Sequence, residues 1–221
     1  MSGIILYGPA YSAYTRIVRL VLEEKSAPYT LEEVDFISSG MPAAQTERHP
    51  FGMVPALEHD GQILFEAGPT CSYLDEVLSA PRFTPDDALA RARMAATISV
   101  LDSYIWPDLR ELVTQVLFTT LVGGWPDDSI KERMVKRLTG SLAILEEKFL
   151  SVGALNSDAI TLADLHAVPM IAYLAETLDG QVLLQALPAL SGWWDDMKQR
   201  PSVVSTEFDL TTYPWALRSE D

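Results

Sequence analysis

Apolar residues run unbroken from Ile4 to Tyr7 and stop at Gly8-Pro9. A run this short, closed by turn residues, predicts a buried strand. From Ser12 the period changes. Ile17, Val18, Val21 and Leu22 recur on one helical face, and Ala27-Pro28 ends the helix. Tyr29–Val34 predicts a second strand. Strand, helix and strand at this separation imply a parallel pair joined by a right-handed crossover. Residues Ser38–Arg48 are polar and hold Gly40 and Pro42, so an irregular loop with a short helix is expected there. Ala56–His59 and Ile63–Phe65 flank Asp60-Gly61, a two-residue hairpin signal. A helix through Cys71, Leu74 and Val77 follows.

Beyond this point the pattern is helical throughout. Ser79–Pro85 carries Pro81 and Pro85 and reads as a linker. Met94, Ile98, Leu101 and Ile105 recur at helical spacing, as do Ile130, Met134, Leu138, Leu142, Leu145 and Phe149. Leu187, Leu190, Trp194 and Met197 form a third stripe. Thr161 followed by Asp164 is a capping-box signature, and the apolar run behind it predicts a buried helix kinked at Pro169. The expected fold is a two-domain α+β chain. Residues 1–79 form a β-α-β-α-β-β-α domain of thioredoxin-like order, 80–85 a linker, and 86–221 an all-helical bundle.

Composition narrows the class. The 221 residues are 48% hydrophobic, enough for a sizeable core. The formal charge is −15, from 31 acidic and 16 basic residues. That balance disfavours nucleic acid and anionic membranes, and serves solubility. Cys71 is the only cysteine, so no intrachain disulfide can form. With Met1-Ser2-Gly3 leading straight into an apolar strand and no apolar signal core, a cytoplasmic protein is expected.

The candidate chemistry centres on Phe51-Gly52-Met53-Val54-Pro55-Ala56-Leu57 and on Glu66. Proline cannot donate to a sheet ladder, so Pro55 belongs at the start of its strand or on an edge. A cis Val54–Pro55 bond would leave the Val54 N–H and C=O free to pair with an extended peptide. This arrangement resembles the glutathione transferase family, and the likeness runs through nearly the whole chain. Leu6-Tyr7-Gly8 to Ser12 and then Arg16-Ile17-Val18-Arg19 resemble the serine-type, bacterial-like cytosolic members. The Thr161–Asp164 box resembles the family's capping box. Leu190, Trp193, Arg200 and Pro201-Ser202-Val203 resemble its closing helix.

The resemblance implies glutathione as co-substrate, no metal, and a homodimer. It places the cysteinyl part of glutathione on the backbone at Met53, Val54 and Pro55, and the γ-glutamyl end at Glu66 and Ala67. Two departures stand out: Ala67 where the family usually has serine, and Met53 where Lys or Gln is frequent. Losing one hydrogen bond to a charged group costs about 1.5–3 kcal/mol unless something replaces it. Backbone N–H groups at 67 and 68 could do so. Asp102 could reach the site across a dimer interface.

A glutathione thiol has a pKa of about 8.5, and lowering it by two units takes about 2.7 kcal/mol of preference for the anion. A hydroxyl donor aimed at the sulfur can provide part of that, and the positive end of a helix N-terminus can provide more. Ser12 is the first candidate, with a plain helix cap as the alternative role. Tyr7 is the runner-up, because tyrosine-type members carry their active tyrosine at this strand end. Tyr11, Tyr104, Trp106 and Phe118 are candidates for the wall of a second-substrate pocket, though aromatics also simply fill cores. No cysteine lies near position 12, and Cys71 sits on an apolar helix face. His49, His59 and His166 show no metal-binding spacing. The implied activity is conjugation of the glutathione thiolate to small apolar electrophiles. Glutathione-dependent reduction of peroxides or disulfides, and a non-catalytic binding module on the same fold, are the alternatives.

Overall fold

The computed structural model describes residues 3–155 and 159–216. Strand β1 (Ile4–Tyr7) lies centrally. It pairs in parallel with β2 (Tyr29–Glu32), Ile4 opposite Tyr29 and Tyr7 opposite Glu32. On its other side it runs antiparallel to β3 (Ala56–His59), Tyr7 opposite Ala56. β3 continues through a hairpin into β4 (Gln62–Phe65), giving the order β2-β1-β3-β4. Asp60 and Gly61 both take positive φ, 53° and 74°, as a type I′ turn requires. β2 ends two residues before the expected Val34, and β4 begins one residue earlier than expected.

Alternation along β1 buries Ile4 and Leu6 on one face and leaves Ile5 and Tyr7 half-buried on the other. Helix α1 (Ala13–Glu24) packs against α3 (Ala67–Val77) and against the C-terminal domain. It is buried on nearly every side, Arg16 and Arg19 included. Short α2 (Ala43–Arg48) lies in the connection where an irregular loop with a short helix is expected. No helix or strand falls between Val77 and Ala88.

The C-terminal domain opens with α4 (Ala88–Val100), which runs through a π-helical turn (Leu101–Ile105) into α5 (Trp106–Val113). A second π turn (Thr114–Phe118) leads into α6 (Thr119–Leu121). Helix α7 (Asp128–Lys148) buries Met134, Leu138, Leu142 and Leu145, the stripe its sequence presents. Helix α8 (Leu162–Ala175) is the centre of the domain, with twelve of its fourteen residues buried. Its capping box is formed. The Thr161 N–H donates to Asp164 Oδ2 (2.7 Å), and the Ala163 N–H donates to Thr161 Oγ1 (3.2 Å). Pro169 lies inside this helix.

Three helices close the domain: α9 (Leu178–Gln185), α10 (Pro188–Met197) and α11 (Pro201–Ser205). In α10 the buried tryptophan is Trp193, and Trp194 of the expected stripe is only half-buried. The reason is polar. The indole Nε1 of Trp193 donates to the buried Asp164 Oδ1 at 2.9 Å, satisfying both groups. Among the described residues, no helix is long and apolar enough to cross a membrane.

Candidate active site

The first turn of α1 packs so closely on the end of β1 that a Cβ on Gly8 would meet Thr15 Oγ1 at 2.4 Å. Glycine is required there. This approach sets Ser12 at the N-cap of α1, half-buried, with Oγ accepting from the Thr15 N–H at 3.3 Å. A cap uses a hydroxyl lone pair and leaves the hydroxyl hydrogen uncommitted. The cap and thiolate-donor roles of Ser12 are therefore compatible.

Tyr7 stands differently. Its hydroxyl donates to Glu58 Oε2 at 2.9 Å, and the Arg48 guanidinium lies 3.7 Å over its ring. Burial, then the bond to Glu58 and its charge, raise the Tyr7 pKa above the ordinary phenol value.

The Val54–Pro55 bond is cis, and the ladder begins only at Ala56, so Val54 stands outside it. The buried Gln45 side chain donates to the Met53 carbonyl at 2.9 Å and fixes this loop from behind. Met53 and Phe51 are exposed. Glu66 sits at the N-cap of α3 with φ 69° and makes no side-chain cap bond. Its side chain is 60% exposed, with His49 Nε2 at 3.7 Å from Oε1. His49 is buried, and its Nδ1 has no hydrogen-bond partner among the described residues. Ala67 and Gly68 hold the first-turn positions whose N–H groups a helix cannot use itself. Pro69 has no N–H, and the Thr70 N–H is bonded to the Glu66 carbonyl.

Asp102 lies in the first π turn. Its Oδ1 accepts from the Tyr14 hydroxyl (2.9 Å) and sits 2.8 Å from Nε2 of buried His166. Burial, and then Asp102, push the Tyr14 phenol far up.

Of the four aromatics expected around a second substrate, Tyr11 and Phe118 meet at 5.8 Å between ring centres. Trp106 joins them indirectly, through Tyr173. Tyr104 is 66% exposed, and no ring contact to the others is formed. The sequence reading missed Phe36, Tyr173, Tyr213 and Trp215. The rings of Phe36, Tyr213 and Trp215 lie 6.0, 4.9 and 5.4 Å from Tyr11. Tyr213-Pro214-Trp215 is an aromatic pair around a proline in a tail without periodicity, and that was the available signal. Tyr11 is 4% exposed, and its hydroxyl has no partner among the described residues. Burial raises its pKa strongly. Cys71 is buried too, which pushes its thiol far above the ordinary range.

Two family models match the chain: the glutathione S-transferase N-terminal domain over residues 11–77 and the C-terminal domain over residues 109–201. Probable glutathione S-transferase GSTF2 of Oryza sativa subsp. japonica is 30% identical, with 91% of this chain and 94% of that protein covered. The chain belongs to the glutathione S-transferase family. Glutathione S-transferase F13 of Arabidopsis thaliana is 29% identical, with 95% and 97% covered. The crystal structure of glutathione transferase F7 from Populus trichocarpa superposes with a TM-score of 0.81 at 29% identity, covering 92% of this chain and 97% of that one. Glutathione S-transferase I from mais, in complex with an atrazine glutathione conjugate, superposes with a TM-score of 0.81 at 26% identity, covering 92% and 96%. This chain is accordingly an enzyme, a glutathione S-transferase, with the family's thioredoxin-like and helical domains.

Proposed function

We propose that the enzyme adds the glutathione thiolate to small apolar electrophiles, with the Ser12 hydroxyl donating to the sulfur. The observation that carries this is the contrast between two hydroxyls. Ser12 keeps its hydrogen at the positive end of α1, whereas Tyr7 gives its own to Glu58. The backbone of Val54, beside cis Pro55, pairs with the cysteinyl unit. Glu66 takes the γ-glutamyl ammonium, and the Ala67 and Gly68 N–H groups take its carboxylate at the head of α3. Catalysis is thiolate stabilisation plus proximity. The glutathione conjugate held by the maize neighbour supports conjugation over reduction.

The electrophile would meet the sulfur beside Tyr11 and Phe118. We place the domain division in the segment 80–85, supported by the gap in regular structure between α3 and α4. A homodimer is supported by Phe51 and Met53, 77% and 52% exposed at one edge of the N-terminal domain. Asp102, oriented by Tyr14 and His166, would use its second oxygen across that interface. A cytoplasmic location is supported by the single free Cys71.

The test is steady-state conjugation of 1-chloro-2,4-dinitrobenzene. Ser12→Ala is expected to lose about 10- to 100-fold in kcat/KM, the worth of one charge-assisted hydrogen bond. Ser12→Ala with unchanged kcat/KM would overturn the assignment.

A further inference from the structure

The register of the sheet brings four points of the chain to one end of it. Tyr7 stands opposite both Glu32 and Ala56, and Ala56 opposite Phe65. Glu66 after β4, Val54 before β3, the turn to Ser12 after β1 and Glu33 after β2 therefore follow one another across that end. The glutathione pose proposed above uses the first three. Its γ-glutamyl unit is at Glu66, its cysteinyl unit at Val54 and its sulfur at Ser12. Neighbouring strands are about 4.8 Å apart. An extended tripeptide spans about 10 Å, and the γ-linkage lengthens it further. The glycyl carboxylate is thereby carried past β1 to the end of β2.

Two acids stand there, Glu33 and Asp35, both exposed. Glu33 Oε1 accepts from the Ala10 N–H at 3.1 Å. Asp35 Oδ1 accepts from the Ile37 and Ser38 N–H groups at 3.1 and 3.0 Å. The bonds from Ser38 hold the Asp35 carboxyl below the ordinary carboxylate range, so it is charged at neutral pH. The chain's own carboxylates thus occupy backbone donors that a ligand carboxylate could use. After burial, the charges of Asp35 and Glu33 help raise the phenol of Tyr11, so both act on the residue that precedes Ser12.

Cations do not offset them. Residues 1–79 carry 11 acidic and 4 basic side chains, and the four are engaged elsewhere. Arg16 and Arg19 are buried and donate to the Val203 and Thr206 carbonyls. Lys25 is buried against Asp75 at 2.8 Å. Arg48 lies over the Tyr7 ring at 3.7 Å. A glycyl carboxylate would approach Glu33 and Asp35 as a third like charge, and like charges brought together oppose binding.

We propose that this site favours γ-glutamylcysteinyl thiols whose C-terminal group is neutral or cationic over glutathione itself. The inference rests on the pose above and names the co-substrate class that suits it best. An amide at the glycyl end removes the repulsion, and an amine there would pair with Glu33 and Asp35.

Titration calorimetry on the full chain tests this with S-methylglutathione and its C-terminal amide, which differ by one charge and have no thiol to ionise. The amide is expected to bind about threefold or more tighter at low salt, and the margin to shrink at high salt, as screening of exposed charges requires. Glu33→Gln combined with Asp35→Asn keeps the hydrogen-bond acceptors and removes the charges. In that variant the two ligands are expected to bind within about twofold of each other. Glu66→Gln is expected to weaken both ligands alike. Equal or tighter binding of S-methylglutathione in the wild type would overturn the preference, as would a margin that survives in the double variant. If Glu66→Gln still weakens both ligands, the pose stands and the preference alone falls. Unchanged binding of both ligands in Glu66→Gln would overturn the pose and this inference with it.

Discussion

Ser12 caps α1 through its oxygen, and the proposed chemistry asks only for its hydrogen. Its lone pair closes the first turn of α1, and its hydrogen stays available beside the helix dipole. Tyr7 lacks that freedom, since a bond to Glu58 and a raised pKa tie up its proton. Tyr7→Phe is therefore expected to leave kcat/KM for conjugation within about threefold of wild type, well short of the effect of losing a charge-assisted bond. A tenfold loss would reassign the donor. Ala67 poses the complementary question. With no hydroxyl at this position, the proposed mode leaves the γ-glutamyl carboxylate to the first-turn amides of α3. Ala67→Ser is expected to tighten glutathione about tenfold by calorimetry, the worth of one hydrogen bond to a charged group. An unchanged Kd would mean that the amides already suffice. At this scale the sequence was readable where a residue type and its place in an element coincide, as at Ser12, Pro55 and Glu66. It was silent on which hydroxyl is already engaged, because Glu58 and Arg48 reach Tyr7 only once β3 and α2 are folded around β1.

Helix α8 was legible for a physical reason: its cap, Thr161 and Asp164, is local, and its apolar run needs no partner to be recognised. Asp164 does more than cap. It also receives the indole N–H of Trp193, and that pairing brings α10 onto the head of α8. Asp164→Ala is expected to destabilise the chain by about 2–4 kcal/mol in urea unfolding, against about 1 kcal/mol for Thr161→Ala. Equal effects would mean that the bond to Trp193 contributes nothing. Periodicity misplaced the buried tryptophan of α10 because it weighs apolar surface and cannot see a hydrogen-bond partner on another helix. The tail at Tyr213–Trp215 escaped for the opposite reason. It has no period, and only its stacking on Tyr11 and Phe118 gives it a place. Trp215→Ala removes one wall of that cluster, and the expected result is a raised KM for the electrophile with unchanged glutathione affinity.

Across the whole molecule, paired carboxylates join the parts. Glu24, at the end of α1, takes both Nε and Nη2 of Arg200 at 2.9 Å, binding the N-terminal domain to the head of α11. Asp75 of α3 meets Lys25 at 2.8 Å and accepts from the Phe83 and Thr84 N–H groups, binding the linker back onto the N-terminal domain. Burial alone would raise both carboxyl pKa values. Arg200 and Ser202 overcome it at Glu24, and Lys25 with the two amides overcomes it at Asp75, so both end below the ordinary range. The stability they contribute is complete above the unfolded carboxyl pKa of about 4 and is lost as pH falls through the lowered native values. Unfolding free energy is therefore expected to fall on acidification below about pH 4, and Glu24→Gln is expected to flatten that fall while lowering stability at neutral pH. A wild-type slope in Glu24→Gln would contradict this. These long-range pairs lie beyond any sequence pattern, since the Glu24 and Arg200 side chains are brought together only by the docking of α1 beneath the C-terminal domain. The central claim, that Ser12 makes the thiolate, is tested most directly by titrating bound glutathione with ultraviolet thiolate absorbance, in wild type and in Ser12→Ala. The account predicts a thiol pKa well below about 8.5 in wild type and a return toward that value in the variant. The same depressed pKa in both proteins would contradict it.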